Sequence, residues 1–100
     1  MESVQLANLV RAEDPIIKNK TFENKRIVGP GILLPVNGTA ITNNAWKGSA
    51  ESILWELPEG PLKHGMIIAD SCTFKNCEFV GVGLIVPRDK IQETKKGFGL

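Results

Sequence analysis

The chain has few of the residues that carry most enzyme chemistry. Its 100 residues include one histidine, His64, and two cysteines, Cys72 and Cys77. His64 sits in a turn-like run, Leu62-Lys63-His64-Gly65, and no spacing ties it to a serine or cysteine nucleophile. The cysteines lie five positions apart with no third ligand nearby, which is not a zinc-site pattern. No catalytic, metal or cofactor-binding residue is therefore assigned, and the chain is expected to be non-enzymatic and to need no cofactor. No apolar run approaches the roughly 20 residues that span a bilayer, so no membrane span is expected. Residues 1–10 lack the basic segment and long apolar stretch of a secretory signal, and a cytoplasmic location is the expectation. A surplus of one charge sign is missing too. Twelve Lys and Arg face eleven Asp and Glu, for a net charge of +1, whereas a nucleic-acid reader carries a basic excess on one face.

What is present is a repeat. Residues 21–35 read TFENKRIVGPGILLP and residues 73–87 read TFKNCEFVGVGLIVP. The pairs Thr21/Thr73, Phe22/Phe74, Asn24/Asn76, Val28/Val80, Gly29/Gly81, Gly31/Gly83 and Pro35/Pro87 match. Within each copy the large apolar residues fall five apart: Phe22, Ile27 and Ile32, then Phe74, Phe79 and Leu84. A helix repeats its faces every 3.6 residues and a flat strand every 2, so neither explains this period. A backbone that turns a corner about every five residues does, with each large side chain pointing to a common axis. Asn24, Gly29 and Gly31 then fall at or near corners, where Asn and Gly tolerate positive φ. The pairs Gly29/Gly31 and Gly81/Gly83 superficially resemble phosphate-binding loops, but neither continues into the full dinucleotide pattern.

A degenerate third copy lies between these two. Aligning Ile41 with Phe22 also pairs Asn43 with Asn24 and Trp46 with Ile27. The remainder before Phe74 reads as an insertion, first the polar residues 47–52 and then a projecting turn at 56–65 marked by Pro58, Gly60, Pro61 and Gly65. The expected core is Phe22, Ile27, Ile32, Ile41, Phe74, Phe79 and Leu84. The shared phase of Asn24, Asn43 and Asn76 favours a stacked amide ladder over three separate turn residues. Cys72 and Cys77 take inward small-residue positions, where a thiol is a compact hydrophobe. Neighbouring walls need not bring their Cα atoms within the roughly 7 Å a disulfide requires.

The second copy, with Cys72, Phe74, Cys77, Phe79 and Leu84 at fixed intervals, resembles the pentapeptide-repeat pattern, and the chain is similar to small bacterial right-handed β-helix proteins. The resemblance implies an all-β fold, a short right-handed parallel β-helix, or solenoid, of about three coils. The first copy departs from it, with Lys20 and Lys25 where the second has Cys72 and Cys77. Some pentapeptide-repeat proteins inhibit topoisomerases by imitating DNA, and the near-neutral charge speaks against that role.

One β-helix domain is expected over residues 1–87, with an N-terminal cap at 1–15, the inserted turn at 56–65 and a polar C-terminal tail at 88–100. The 42% hydrophobic content is enough for one core. The start of the cap suits a short amphipathic helix or a strand. The Asp14-Pro15 turn into Ile16 and Ile17 favours the strand. Two functional classes follow. The first is an interaction or self-assembly module displaying an apolar strip at Trp46, Leu54 and Trp55, either to a second copy of the chain or to a protein partner, since tryptophan is enriched at interface centres. The alternative is a carbohydrate-binding or carbohydrate-processing protein using acids near Glu23, Asp70 and Glu78, which requires those acids to share a groove with an arginine.

Overall fold

A computed structural model of the chain describes residues 1–61 and 64–97. Ten strands carry the fold: β1 Glu2–Gln5, β2 Ile16–Lys18, β3 Thr21–Glu23, β4 Lys25–Val36, β5 Ala40–Thr42, β6 Ala45–Lys47, β7 Leu54–Glu56, β8 Met66–Asp70, β9 Thr73–Lys75 and β10 Glu78–Val86. Two short helices, α1 Ala50–Ile53 and α2 Ile91–Gly97, complete it. All strand pairings between these elements are parallel, in one sheet of seven strands and one of three.

The expected right-handed β-helix of about three coils is not what forms. A solenoid stacks its coils in chain order, whereas these sheets run β2-β8-β4-β10-β6 and β3-β9-β5. The second copy therefore lies between the first copy and the degenerate one. Phe74 pairs with Phe22 on one side and Ile41 on the other, and Phe79 with Ile27 and Trp46. Burial explains this order. The central position surrounds a segment on both sides, and the copy with Cys72, Phe74, Cys77 and Phe79 is the most apolar, each of these residues being no more than 2% exposed. The outer copies keep lysines: Lys20 is exposed, and Lys25 pairs with Glu2 at 3.3 Å. Burying each phenylalanine is worth about 1.5–3 kcal/mol. Ring stacking of Phe22 on Phe74 (centroids 5.1 Å apart) and of Trp46 on Phe79 (4.1 Å) adds to that.

Corners between strands are made by left-handed residues in two columns. Asn19, Ser71 and Asn37 have φ of 54°, 55° and 51°, and Asn24, Asn76 and Asn43 have φ of 57°, 54° and 54°. The amide ladder expected of Asn24, Asn43 and Asn76 does not form: all three side chains are exposed, and no hydrogen bond among the described residues joins them. The backbone carries the column instead, with Asn24 N–H donating to the Lys75 carbonyl and Asn76 N–H to that of Thr42, both at 3.1 Å. Among the side chains that tie the layers are Thr39 and Asn44. Thr39 Oγ1 accepts from Cys72 N–H at 3.0 Å and lies 2.6 Å from the Ala69 carbonyl. Asn44 Oδ1 accepts from Cys77 N–H at 2.7 Å while its Nδ2 donates to the Phe74 carbonyl at 3.0 Å.

The expected core position of Ile32 is taken by Leu33, which is fully buried. Val28 pairs with Val80, but Gly31 pairs with Val82 and Leu33 with Leu84, because β4 places both Gly29 and Pro30 opposite the single Gly81. A one-residue slip sends each following side chain to the other face. Ile27, Phe74, Phe79 and Leu84 are buried, and Phe22, Ile41 and Trp46 are partly buried against the same cluster. At the slip the two backbones meet, and a Cβ built on Gly29 would lie 1.9 Å from the Gly81 carbonyl oxygen.

Residues 1–15 contribute β1, paired with β4 from Lys25 to Val28, and a 3-10 turn that buries Leu6. The polar part of the insertion is α1, whose N-cap Ser49 accepts from Ser52 N–H at 3.2 Å and whose last residue, Ile53, enters the core. The C-terminal stretch is α2 up to Gly97, with Ile91 packed on the core. The terminal hydrophobes Phe98 and Leu100 lie outside the described residues, as do Leu62 and Lys63 of the inserted turn.

Gly29→Ala is expected to cost more than about 3 kcal/mol or to prevent folding. Gly38→Ala, with φ of 79° and no neighbour within 4 Å, should cost only about 1 kcal/mol. Urea unfolding compares the two, and equal losses would mean that the Gly29 crossing is not tight. The same assay separates neighbouring asparagines. Loss of two side-chain bonds in Asn44→Ala should cost about 2 kcal/mol, and Asn43→Gly, which keeps the left-handed corner, less than about 0.5 kcal/mol.

Candidate functional site

The seven-stranded sheet ends, beyond β10, in β7, where Leu54, Trp55 and Glu56 pair with Leu84, Ile85 and Val86. Strand alternation decides which side chain faces the core. Ile53 and Leu54 pack on the central cluster, and Trp55 points out with 51% of its surface exposed. Its indole lies across Gly83: a Cβ built there would be 2.7 Å from Trp55 Nε1. Beside the ring is a cavity of about 310 Å³, bounded by Ile32, Pro58, His64, Met66 and Ile85. Leu57, 38% exposed and fixed by its N–H to the Val86 carbonyl at 2.9 Å, extends the apolar surface. An ion pair between Arg88 and Glu56 gives it a charged rim.

The three residues expected to form one strip thus separate. Trp46 stacks on Phe79 and lines a different cavity, of about 420 Å³, with Ile41, Leu84, Val86 and Thr94. Leu54 packs inward, and Trp55 alone of the three is an exposed large hydrophobe. Its surface partners Leu57, Ile32 and Met66 were missed, Ile32 because of the slip that turns it outward.

The acids Glu23, Asp70 and Glu78 share no partner. Glu23 stands on β3 opposite Lys75 in the three-stranded sheet. Glu78 accepts from Arg26 Nε at 3.1 Å. Asp70 ends β8 at a corner, where its Oδ1 accepts from Ser71 Oγ at 2.9 Å and from Asn37 Nδ2 at 3.1 Å. Those bonds to Ser71 and Asn37, with the nearby positive charge of Lys18, hold the Asp70 carboxyl below its usual range.

Cys72 and Cys77 are free buried thiols. Each lies 3.3 Å from a carbonyl oxygen, Cys72 from that of Ile17 on β2 and Cys77 from that of Phe22 on β3. Among the described residues no group of three or more His, Cys, Asp or Glu side chains converges, and no helix is long and apolar enough to cross a membrane.

Comparison with known proteins finds no matching family model, no matching curated protein and no matching solved structure.

The folded-state pKa of Asp70 is depressed, so its contribution to stability is present above the ordinary carboxylate value and is lost as pH falls through the folded one. The stability of Asp70→Asn should accordingly fall less steeply than that of the native chain on acidification, as read from denaturant unfolding at each pH. Parallel acid titrations of the two proteins would contradict this.

Proposed function

We propose that the chain is a non-enzymatic interaction module that self-associates through the Trp55 face. The observation that carries this reading is a half-exposed tryptophan, seated on Gly83 and bordering an apolar cavity of about 310 Å³. A large aromatic knob and a hole of side-chain size lie next to each other on one surface. Under a twofold axis such a surface is complementary to itself, each indole entering the cavity beside its partner's. The remaining features suit that use. An apolar centre of Trp55, Leu57, Ile32 and Met66 is bordered by the Glu56–Arg88 ion pair, the division into dry centre and charged rim seen at stable interfaces.

Parallel sheets make a rigid mount for such a face. Trp55 is held by backbone pairing to Ile85 in the strand that also carries the core residue Leu84, so little ordering is required on binding. The carbohydrate alternative draws less support, because Glu78 pairs with Arg26 whereas Asp70 bonds to Ser71 and Asn37 and Glu23 lies opposite Lys75.

Light scattering coupled to size exclusion tests the reading at several concentrations. The native chain is expected to run as a defined dimer, and Trp55→Ala to weaken dimerisation by at least about 30-fold, the effect of losing a hot-spot residue of about 2 kcal/mol. Unfolding of the variant should remain cooperative. A native chain that stays monomeric at every concentration overturns self-association.

A further inference from the structure

A second concavity shares His64 and Met66 with the Trp55 cavity but opens onto the N-terminal segment. Its volume is about 630 Å³, within the range of small-molecule sites. The walls are built, not incidental. Ile68 N–H donates to the Pro15 carbonyl at 2.8 Å, fixing the N-terminal segment beside β8. Residues 11–14 close on themselves through Asp14 N–H to the Arg11 carbonyl at 3.0 Å. Val10, Met66, Ile67 and Ile68 make the interior apolar.

The electrostatics of the cleft are one-sided. Among the described residues Arg11 and His64 are the titratable groups that line it, and no carboxylate does. Asp14 does not line this cleft but a smaller neighbouring concavity, which Val10 and Arg11 also border. Among the described residues Arg11 makes no ion pair, whereas Arg26 and Arg88 each have one. An unpaired guanidinium at the edge of an apolar cleft matches a planar anion attached to an apolar body, since its fork binds a carboxylate through two parallel hydrogen bonds.

We propose that this cleft binds a small carboxylate with an aliphatic body, the chain lying against Val10, Met66, Ile67 and Ile68 and the carboxylate on Arg11, with His64 at the mouth. This goes beyond self-association and uses a different concavity, which shares His64 and Met66 with the Trp55 cavity.

Octanoate is the probe, titrated into the full chain by calorimetry and by methyl NMR, with octanol and octylammonium for comparison. Saturable shifts are expected at the methyls of Ala7, Val10, Ile67 and Ile68, and not at Ile41 or Leu84. Arg11→Gln, at an exposed position that leaves the core intact, should weaken octanoate at least tenfold and leave octanol within about twofold. Octylammonium should bind at least tenfold more weakly than octanoate, and Trp55→Ala should leave octanoate binding unchanged. Absence of saturation, shifts centred elsewhere, or equal octanoate affinity in Arg11→Gln would each overturn the proposal.

Discussion

The passage of β4 beside β10 at Gly29 and Gly81 sets the position of every layer in this fold. β10 is the partner through which β6 and β7 join the larger sheet, and β4 is the one through which β1 does. Neighbouring strands must lie about 4.8 Å apart for their backbone groups to pair. At the crossing that spacing leaves no volume for a side chain, because a Cβ on residue 29 would overlap the Gly81 carbonyl oxygen. The extra residue that β4 carries there also ends one register and begins another. The same contact therefore joins the copies and decides which residues of β4 enter the core after it, with Leu33 in and Ile32 out.

Corners then keep the two sheets aligned. Each column of left-handed residues spends conformational freedom that asparagine tolerates better than other residues with a β-carbon, and each column is needed once per layer. Thr39 and Asn44 add side-chain bonds to the middle layer. Each donates toward a carbonyl of the middle layer and accepts from the amide of a cysteine in it. The middle layer is thereby paired by backbone from both sides and pinned by side chains at two successive corners. Small thiols suit this place because larger groups at positions 72 and 77 would compete with the Ile17 and Phe22 carbonyls 3.3 Å away.

The repeat shows which residues are equivalent, and that much is legible from the chain alone: Thr21 and Thr73, Phe22 and Phe74, and Ile27 and Phe79 are direct partners in the sheet. It does not show which equivalent segments touch. In parallel pairing, a phenylalanine presents the same face whether its neighbour comes from the preceding copy or from the one after, so periodicity is silent on stacking order. Polarity was the available signal. Cysteines at 72 and 77 against lysines at 20 and 25 mark the second copy as the one able to be covered on both sides. The Ile32 slip was less accessible, since Gly29/Gly81 and Gly31/Gly83 match at a constant offset while the pairing does not. A seven-residue helix anchored by one apolar residue, as at Ile91–Gly97, leaves almost no periodic trace, so this stretch looks like a polar tail in the sequence.

The two glycines that follow the crossing explain where the surface opens. Gly31 of the first copy and Gly83 of the second each lie under a large side chain from a neighbouring segment, Leu6 in one case and Trp55 in the other. In the first copy the covering Leu6 is itself fully buried as the N-terminal segment folds over it. In the second, an indole replaces the smaller leucine and half of it stays exposed. The two candidate surfaces thus arise where irregular segments, residues 6–15 and the insertion before β8, cross a repeated scaffold at equivalent points. Arg11 and His64 are brought together by those segments, far apart in the chain and bound by no period. A regular core is written in spacing that can be counted, whereas this cleft exists only once both irregular segments have docked.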